Sequence, residues 1–331
     1  MEKFKLPIWE TKEYQYSMAF GFIPNLTAYL HDDEKIRPCM LVVPGGGYCV
    51  VSSTEGEIVA KKFYDMGYQA FVLTYTTNLL MSAPLLDQPM KDLSRAVRLI
   101  RSKADDYHVN PEKLVVCGFS AGGHLCGSVC VHYKDIQENS DIYGRFSNRP
   151  DAAILSYPVI TSGEYAHRDS FRSLLGMDIY ENDDRHLLDY MSLEKHVSQD
   201  TPPCFLWQTA EDETVPVENS ALFAAACKKQ GVPFAYHVFS KGKHGLSLAD
   251  EDWGLGKFGE PYTMEQTFAI IEAVKNGTIP MAEEGKQLLL QQFDFSSEQN
   301  FLRTDEISAE VRIWPELAES WLNCYMNRYE E

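Results

Sequence analysis

Six short apolar and β-branched runs, CMLVV, QAFVLTY, KLVVCG, AAILSY, CFLWQT and FAYHVF, recur along the chain and constrain its fold more than any other feature. Each is too short for an ordinary helix, and most stop at or near Gly, Pro or Ser, which favours strands. Helical patterns lie between them. Within residues 87–104, Met90, Leu93, Ala96, Val97 and Ile100 share one face, and residues 217–230 carry a similar face before Gly231, a natural helix stop. Such alternation predicts an α/β fold, a mostly parallel sheet covered by helices on both sides. The closing stretch IWPELAESWLNCYMNRY predicts one more helix. Pro315 suits its first turn, and Trp314, Leu317, Trp321, Leu322 and Tyr325 form an apolar stripe for docking on the sheet.

With 331 residues and 44% hydrophobic content, the chain can bury a large core. It has no internal repeat, low-complexity tract or Gly/Ser/Pro linker, so residues 1–331 are expected to form a single domain. Residues 251–311 stand apart, with helical pieces such as 264–275 but no clear strand, and read as an insertion in that domain. A net charge of -18 opposes binding to nucleic acid or to an anionic membrane. The opening MEKFKLPIWE places charges and a proline where a signal peptide has its apolar core, and no later run reaches membrane-spanning length, so a cytoplasmic location is expected. Eight cysteines are thinly spread without a Cys-x-x-Cys pair, and Cys39, Cys117, Cys126, Cys130 and Cys204 read as small buried hydrophobes. No His-rich cluster has ligand spacing, so no metal is expected.

The run KLVVCG leads into FSAGGHL, which places Ser120 between a strand and a helix, flanked by Gly118 and Gly122. The same pattern could serve only as a tight turn, and the rest of the chain must decide. An alcohol is a poor nucleophile near neutral pH and needs a base, a group to orient that base, and donors for a developing oxyanion. In a parallel sheet these groups gather beyond the carboxyl ends of strands. After CFLWQT comes AEDETVP, offering Glu211, Asp212 and Glu213. Beyond that lie two histidines, His237 inside a strand and His244 in the loop SKGKHGLS. Near the start, LVVPGGGY runs a strand into three glycines, where the N–H groups of Gly46 or Gly47 could face an oxyanion beside the N–H of Ala121. A phosphate-binding reading of that loop lacks both usual glycine signatures.

In this order, strand-Gly-Gly-Gly, Gly-x-Ser-x-Gly, acid and His, the chain resembles the α/β-hydrolase superfamily. More narrowly, IPNLTAYL, VVPGGGY, CGFSAGGHL, SLEKHVSQDTPPCFLWQTAEDETVPVENS and KGKHGLSLA resemble the acetyl-esterase and xylan-esterase-like branch of bacterial carbohydrate esterases. The likeness runs over residues 23–250 and the last helix. It implies Ser120 as nucleophile, His244 as general base and Asp212 as the orienting acid, with Gly46, Gly47 and Ala121 as oxyanion donors and no cofactor. Pro44 stands where many hormone-sensitive-lipase-like esterases have histidine, a change of little weight if the donors are backbone groups. The implied activity is hydrolysis of short acyl esters, acetyl first, of a small-molecule or oligosaccharide alcohol.

Rival readings are a lipase or peptidase on the same parts, or a non-catalytic binding protein on a hydrolase scaffold. Residues 251–311 could form a lid over the acyl or sugar pocket or a contact in a homo-oligomer. Trp253 and Tyr48 are candidate pocket walls, although Tyr48 could equally pack under the glycine loop. Glu55 could bind substrate or complement a helix dipole. His124 reads as a packed helix residue, and Asp92 as a helix-start or packing residue. Asn110-Pro111-Glu112 resembles a cap followed by proline at a helix's first turn.

Overall fold

A computed structural model describes residues 1–182, 184–293 and 302–326. The six predicted runs form consecutive strands β3 (Arg37–Val43), β4 (Gln69–Thr74), β5 (Val109–Phe119), β6 (Ala152–Ser156), β7 (Cys204–Thr209) and β8 (Phe234–Phe239). They belong to an eight-stranded sheet of order β1-β2-β4-β3-β5-β6-β7-β8, in which all neighbours from β4 to β8 run parallel. Two strands were not anticipated. β1 (Glu2–Pro7) and β2 (Asn25–Leu30) add an antiparallel edge, with β2 paired to β4.

Strand alternation divides the core into two layers. Leu41, Val43, Leu114, Val116 and Leu206 face one side, packed against Leu93 and Val97 of α2 (Gln88–Ser102), Leu125 and Val129 of α3 (Ala121–His132) and Phe223 of α6 (Glu218–Gln230). Met40, Val42, Val115, Cys117, Phe205 and Trp207 face the other, under Val59 and Phe63 of α1 (Glu57–Asp65) and under the last helix, α10 (Trp314–Met326). Trp314, Ala318 and Leu322 form the fully buried stripe of α10, and Trp314 stacks on Trp207 at 5.4 Å. Residues 327–329 of the predicted closing helix lie outside the described residues.

Gly231 ends α6 in the left-handed conformation that its sequence position suggested. Asn110-Pro111-Glu112 does not open a helix. It lies near the start of β5, where Asn110 Oδ1 accepts the Glu112 N–H at 3.0 Å, because a side chain that caps a helix can equally fold a local turn. The described part of residues 251–311 carries three α-helices joined by turns and irregular backbone, α7 (Glu251–Gly254), α8 (Glu265–Lys275) and α9 (Glu283–Gln292); residues 294–301 lie outside the described residues. The segment is tied to the sheet at both ends. Gln266 Oε1 accepts the Thr77 N–H beyond β4, and Ser308 donates its N–H to Ala249 O in the loop after β8. Between α4 (Arg168–Leu175) and α6 lies α5 (Arg185–Tyr190). Among the described residues no helix is long and apolar enough to cross a membrane.

Candidate active site

The loops beyond the carboxyl ends of β3, β5, β6, β7 and β8 meet at one edge of the sheet, where an open α/β sheet places its ligands. Ser120 sits in the turn between β5 and α3 with φ 52° and ψ −118°, a backbone region that L-residues avoid unless their surroundings impose it. The surroundings here are hydrogen bonds. Ser120 N–H donates to Ser156 O at 3.0 Å, and Ser120 O accepts from the N–H groups of His124 and Val159. Gly122 is required by close approach, since a Cβ there would enter the carbonyl oxygens of Val43 and Pro44.

His244 Nε2 lies 2.8 Å from Ser120 Oγ, and His244 Nδ1 lies 2.7 Å from Asp212 Oδ2. A carboxylate only accepts, so Asp212 fixes the proton on Nδ1 and leaves Nε2 to accept the serine hydroxyl. The other carboxylate oxygen of Asp212 accepts the N–H groups of Thr214 and Val215 at 3.0 and 2.9 Å. Gln208 Nε2 approaches Asp212 Oδ2 at 3.4 Å and also donates to Val215 O. Asp212 is therefore buried and held from both sides, whereas Glu211 and Glu213 are exposed. The arrangement couples a hydroxyl to a base whose conjugate acid has a fixed counter-charge, the requirement for activating an alcohol.

The glycine turn passes directly over the serine: a Cβ on Gly45 would lie 2.9 Å from Ser120 Cβ. Gly46 O accepts the N–H groups of Cys49 and Val50, Gly45 O accepts that of Ser52, and Tyr75 OH donates to Pro44 O. Gly46 and Gly47 have φ 120° and 64°. Among the described residues their N–H groups meet no protein acceptor, and the Ala121 N–H belongs to the first turn of α3, where helical partners are absent.

The structure corrects three expectations. Tyr48 is only 2% exposed and donates its hydroxyl to His124 Nδ1 at 2.7 Å, so it is a pillar beneath the turn and not a pocket wall. Trp253 is 0% exposed: Asp250 caps α7 by accepting the Trp253 N–H, and the indole turns inward against Phe258 with the Arg303 guanidinium over its face. Glu55 stands directly before Gly56, the N-cap of α1, and its carboxyl is committed to protein donors and not offered to substrate. It is buried, with Oε2 accepting the Gly45 N–H and Oε1 the Tyr157 hydroxyl, both at 2.7 Å. Burial pushes its carboxyl above the ordinary range, opposed by those donors. His124 is a packed helix residue, as expected, with Nε2–H donating to Met191 O.

Two further parts of the site were not read from the sequence. Tyr157 follows β6, and its ring meets the His244 imidazole edge to face at 5.0 Å. A polar aromatic at a strand's carboxyl end was the signal available for it. His167 precedes α4 and bonds through Nδ1 to Ser170 Oγ at 2.8 Å, a hydroxyl 3.8 Å from where a Cβ on Gly47 would sit. Burial, then the charge of His244, lowers the His167 pKa.

Comparison with known proteins places the chain among hydrolases. The family model BD-FAE matches residues 26–227. Endo-1,4-beta-xylanase B of Butyrivibrio fibrisolvens is 53% identical over 267 residues, 81% of this chain but 41% of that protein. Acetylxylan esterase of Xylanibacter ruminicola is 30% identical over 243 residues, 72% of this chain and 46% of that protein. The chain thus spans less than half the length of these two curated relatives. The crystal structure of an acetyl ester-xyloside bifunctional hydrolase from Caldicellulosiruptor lactoaceticus superposes with a TM-score of 0.69 at 38% identity, covering 82% of this chain and 96% of that one.

Proposed function

From the premise that the chain belongs to the BD-FAE family and has the α/β-hydrolase fold, we propose that it is a serine carboxylic ester hydrolase removing short acyl groups, acetyl first, from carbohydrates such as acetylated xylo-oligosaccharides. The observation that carries the reading is the unbroken hydrogen-bond chain from Ser120 through His244 to Asp212, beside a glycine turn with unengaged N–H groups. His244 Nε2 takes the Ser120 proton as Oγ attacks the ester carbonyl, and Asp212 balances the imidazolium. The N–H groups of Ala121 and of Gly46 or Gly47 receive the oxyanion. The tetrahedral intermediate collapses to an acyl-Ser120 ester, and the alcohol leaves with the proton from His244. Water, activated by the same imidazole, then releases the acid and restores the serine.

Hydrolysis of xylosides at the same site is a second reading, favoured by the likeness to the bifunctional enzyme. Glycoside cleavage ordinarily needs two carboxyl groups facing the scissile bond. The two buried here, Asp212 and Glu55, are each occupied by protein donors, which favours ester chemistry. Cys204 lies against Cys130 and against Cys227, and a cytoplasmic location is kept as part of the proposal.

The test is acetate release from acetylated xylo-oligosaccharides, run beside an activated acetate ester and a chromogenic xyloside. The reading expects turnover of both esters. Cleavage of the xyloside alone would overturn it, and turnover of the simple ester alone would retain the esterase and redirect the search to other acylated alcohols.

A further inference from the structure

We propose that Glu55 and Tyr157 are positioning residues that hold the glycine turn and the histidine loop in register over Ser120, an inference resting on the ester-hydrolase reading. The loops in question follow β3, β6 and β8, and the ladder of the sheet fixes none of them beyond the strand ends. A hydrogen-bonded chain does so instead. Gly45 N–H donates to Glu55 Oε2 at 2.7 Å, Tyr157 OH donates to Glu55 Oε1 at 2.7 Å, and Ser247 N–H donates to the Tyr157 oxygen at 3.0 Å. One carboxyl group and one phenol thereby join the turn carrying the oxyanion donors to the loop carrying His244, three residues before Ser247. Glu55 and Tyr157 are 4% and 2% exposed, so water cannot replace either link without opening the core.

The anchored backbone is also strained. Tyr157 has φ 36° and Ser247 φ 50°, conformations that persist where surrounding contacts impose them. Trp314 Nε1 donates to Ser247 O at 2.8 Å and holds the far side of the same residue. The position of a Cβ on Gly45 lies 2.9 Å from Ser120 Cβ and 3.1 Å from Glu55 Oε2, so Gly45 packs against both the nucleophile and this carboxyl group. Because Glu55 consumes the Gly45 N–H, the unengaged donors are those of Gly46 and Gly47. Both carboxyl oxygens receive donors, so the group acts on the turn and not on the substrate.

The test compares Glu55→Gln, Tyr157→Phe and the double variant with the native chain on an activated acetate ester, with active sites counted by fluorophosphonate labelling of Ser120. Each single variant is expected to lower kcat per labelled site about 10- to 100-fold with KM held within about twofold, because the turn's misplacement is felt in the transition state. The double variant should lose no more than about threefold beyond the weaker single one, since both break one chain. A merely structural role would reduce the labelled fraction and the melting temperature while leaving kcat per labelled site unchanged; that result, or fully multiplicative losses, would overturn the inference alone. Native protein that neither labels at Ser120 nor turns over ester would overturn the hydrolase reading and the inference with it.

Discussion

Acid should destabilise this protein through one buried histidine, and the size of the effect can be worked from its surroundings. His124 is 1% exposed, donates Nε2–H to Met191 O at 2.9 Å and accepts the Tyr48 hydroxyl on Nδ1 at 2.7 Å. Its environment therefore suits the neutral ring. Burial lowers its pKa from the ordinary 6.5 to about 4. Between those values the unfolded chain binds a proton that the native one does not. The stabilisation is complete above the unfolded pKa, is lost as pH falls from about 6.5 to about 4, and levels below that. A gap of about 2.5 units corresponds to about 3 kcal/mol. Asp92 opposes this trend: its buried carboxyl is raised to about 6, so it favours the native state more as pH falls through the same region. The native chain alone would mix these with other shifted groups, His132 and His167 lowered and Glu55 and Asp151 raised. The measurement is urea unfolding across pH for native protein and for His124→Gln, which keeps a donor for Met191 and does not titrate. The difference in unfolding free energy should shrink by about 2 to 3 kcal/mol between about pH 7.5 and pH 4.5. A difference constant to within about 0.5 kcal/mol, or a native His124 titrating near its ordinary pKa by NMR, would refute the reasoning.

Other outcomes follow from the same contacts. Asp212→Asn can keep the bonds from Thr214 and Val215 but removes the counter-charge from His244; kcat should fall roughly 10⁴-fold with the fold intact by circular dichroism. Gly122→Ala forces a methyl group into the Val43 and Pro44 carbonyls, and its melting curve should show a loss of more than about 2 kcal/mol along with activity. Trp253→Phe should lower stability by about 1 to 3 kcal/mol while leaving preference among acyl chain lengths unchanged in a series of nitrophenyl esters, since the indole lies in the core.

The inner parallel strands were legible because a strand buried on both faces reads as an unbroken apolar run, and β8, a half-buried edge, was legible by its aromatic and β-branched residues. β1 escaped notice for the opposite reason: EKFKLP is a half-exposed edge whose alternating lysines mask the strand. In β2, NLTAYL is fully buried but mixes Asn and Thr into the run. Ser120 and His244 could be singled out by their places after β5 and β8, whereas the loop after β7 offered Glu211, Asp212 and Glu213 alike and only the family resemblance pointed to Asp212; the structure brings Ser120, His244 and Asp212 within hydrogen-bond reach. The Glu55–Tyr157–Ser247 chain could not, because its links are 102 and 90 residues apart and depend on which way loop side chains turn. Trp253 shows the same limit. Its nearness in sequence to His244 suggested the pocket, but the cap made by Asp250 directs it into the core.

The measurement that tests the central claim most directly is turnover of an activated acetate ester by Ser120→Ala beside the native chain, with fluorophosphonate labelling located by mass spectrometry. The account predicts a loss of roughly 10⁴- to 10⁶-fold in kcat and label on Ser120 of the native chain alone. A loss below about tenfold, or label carried by another residue, would contradict it.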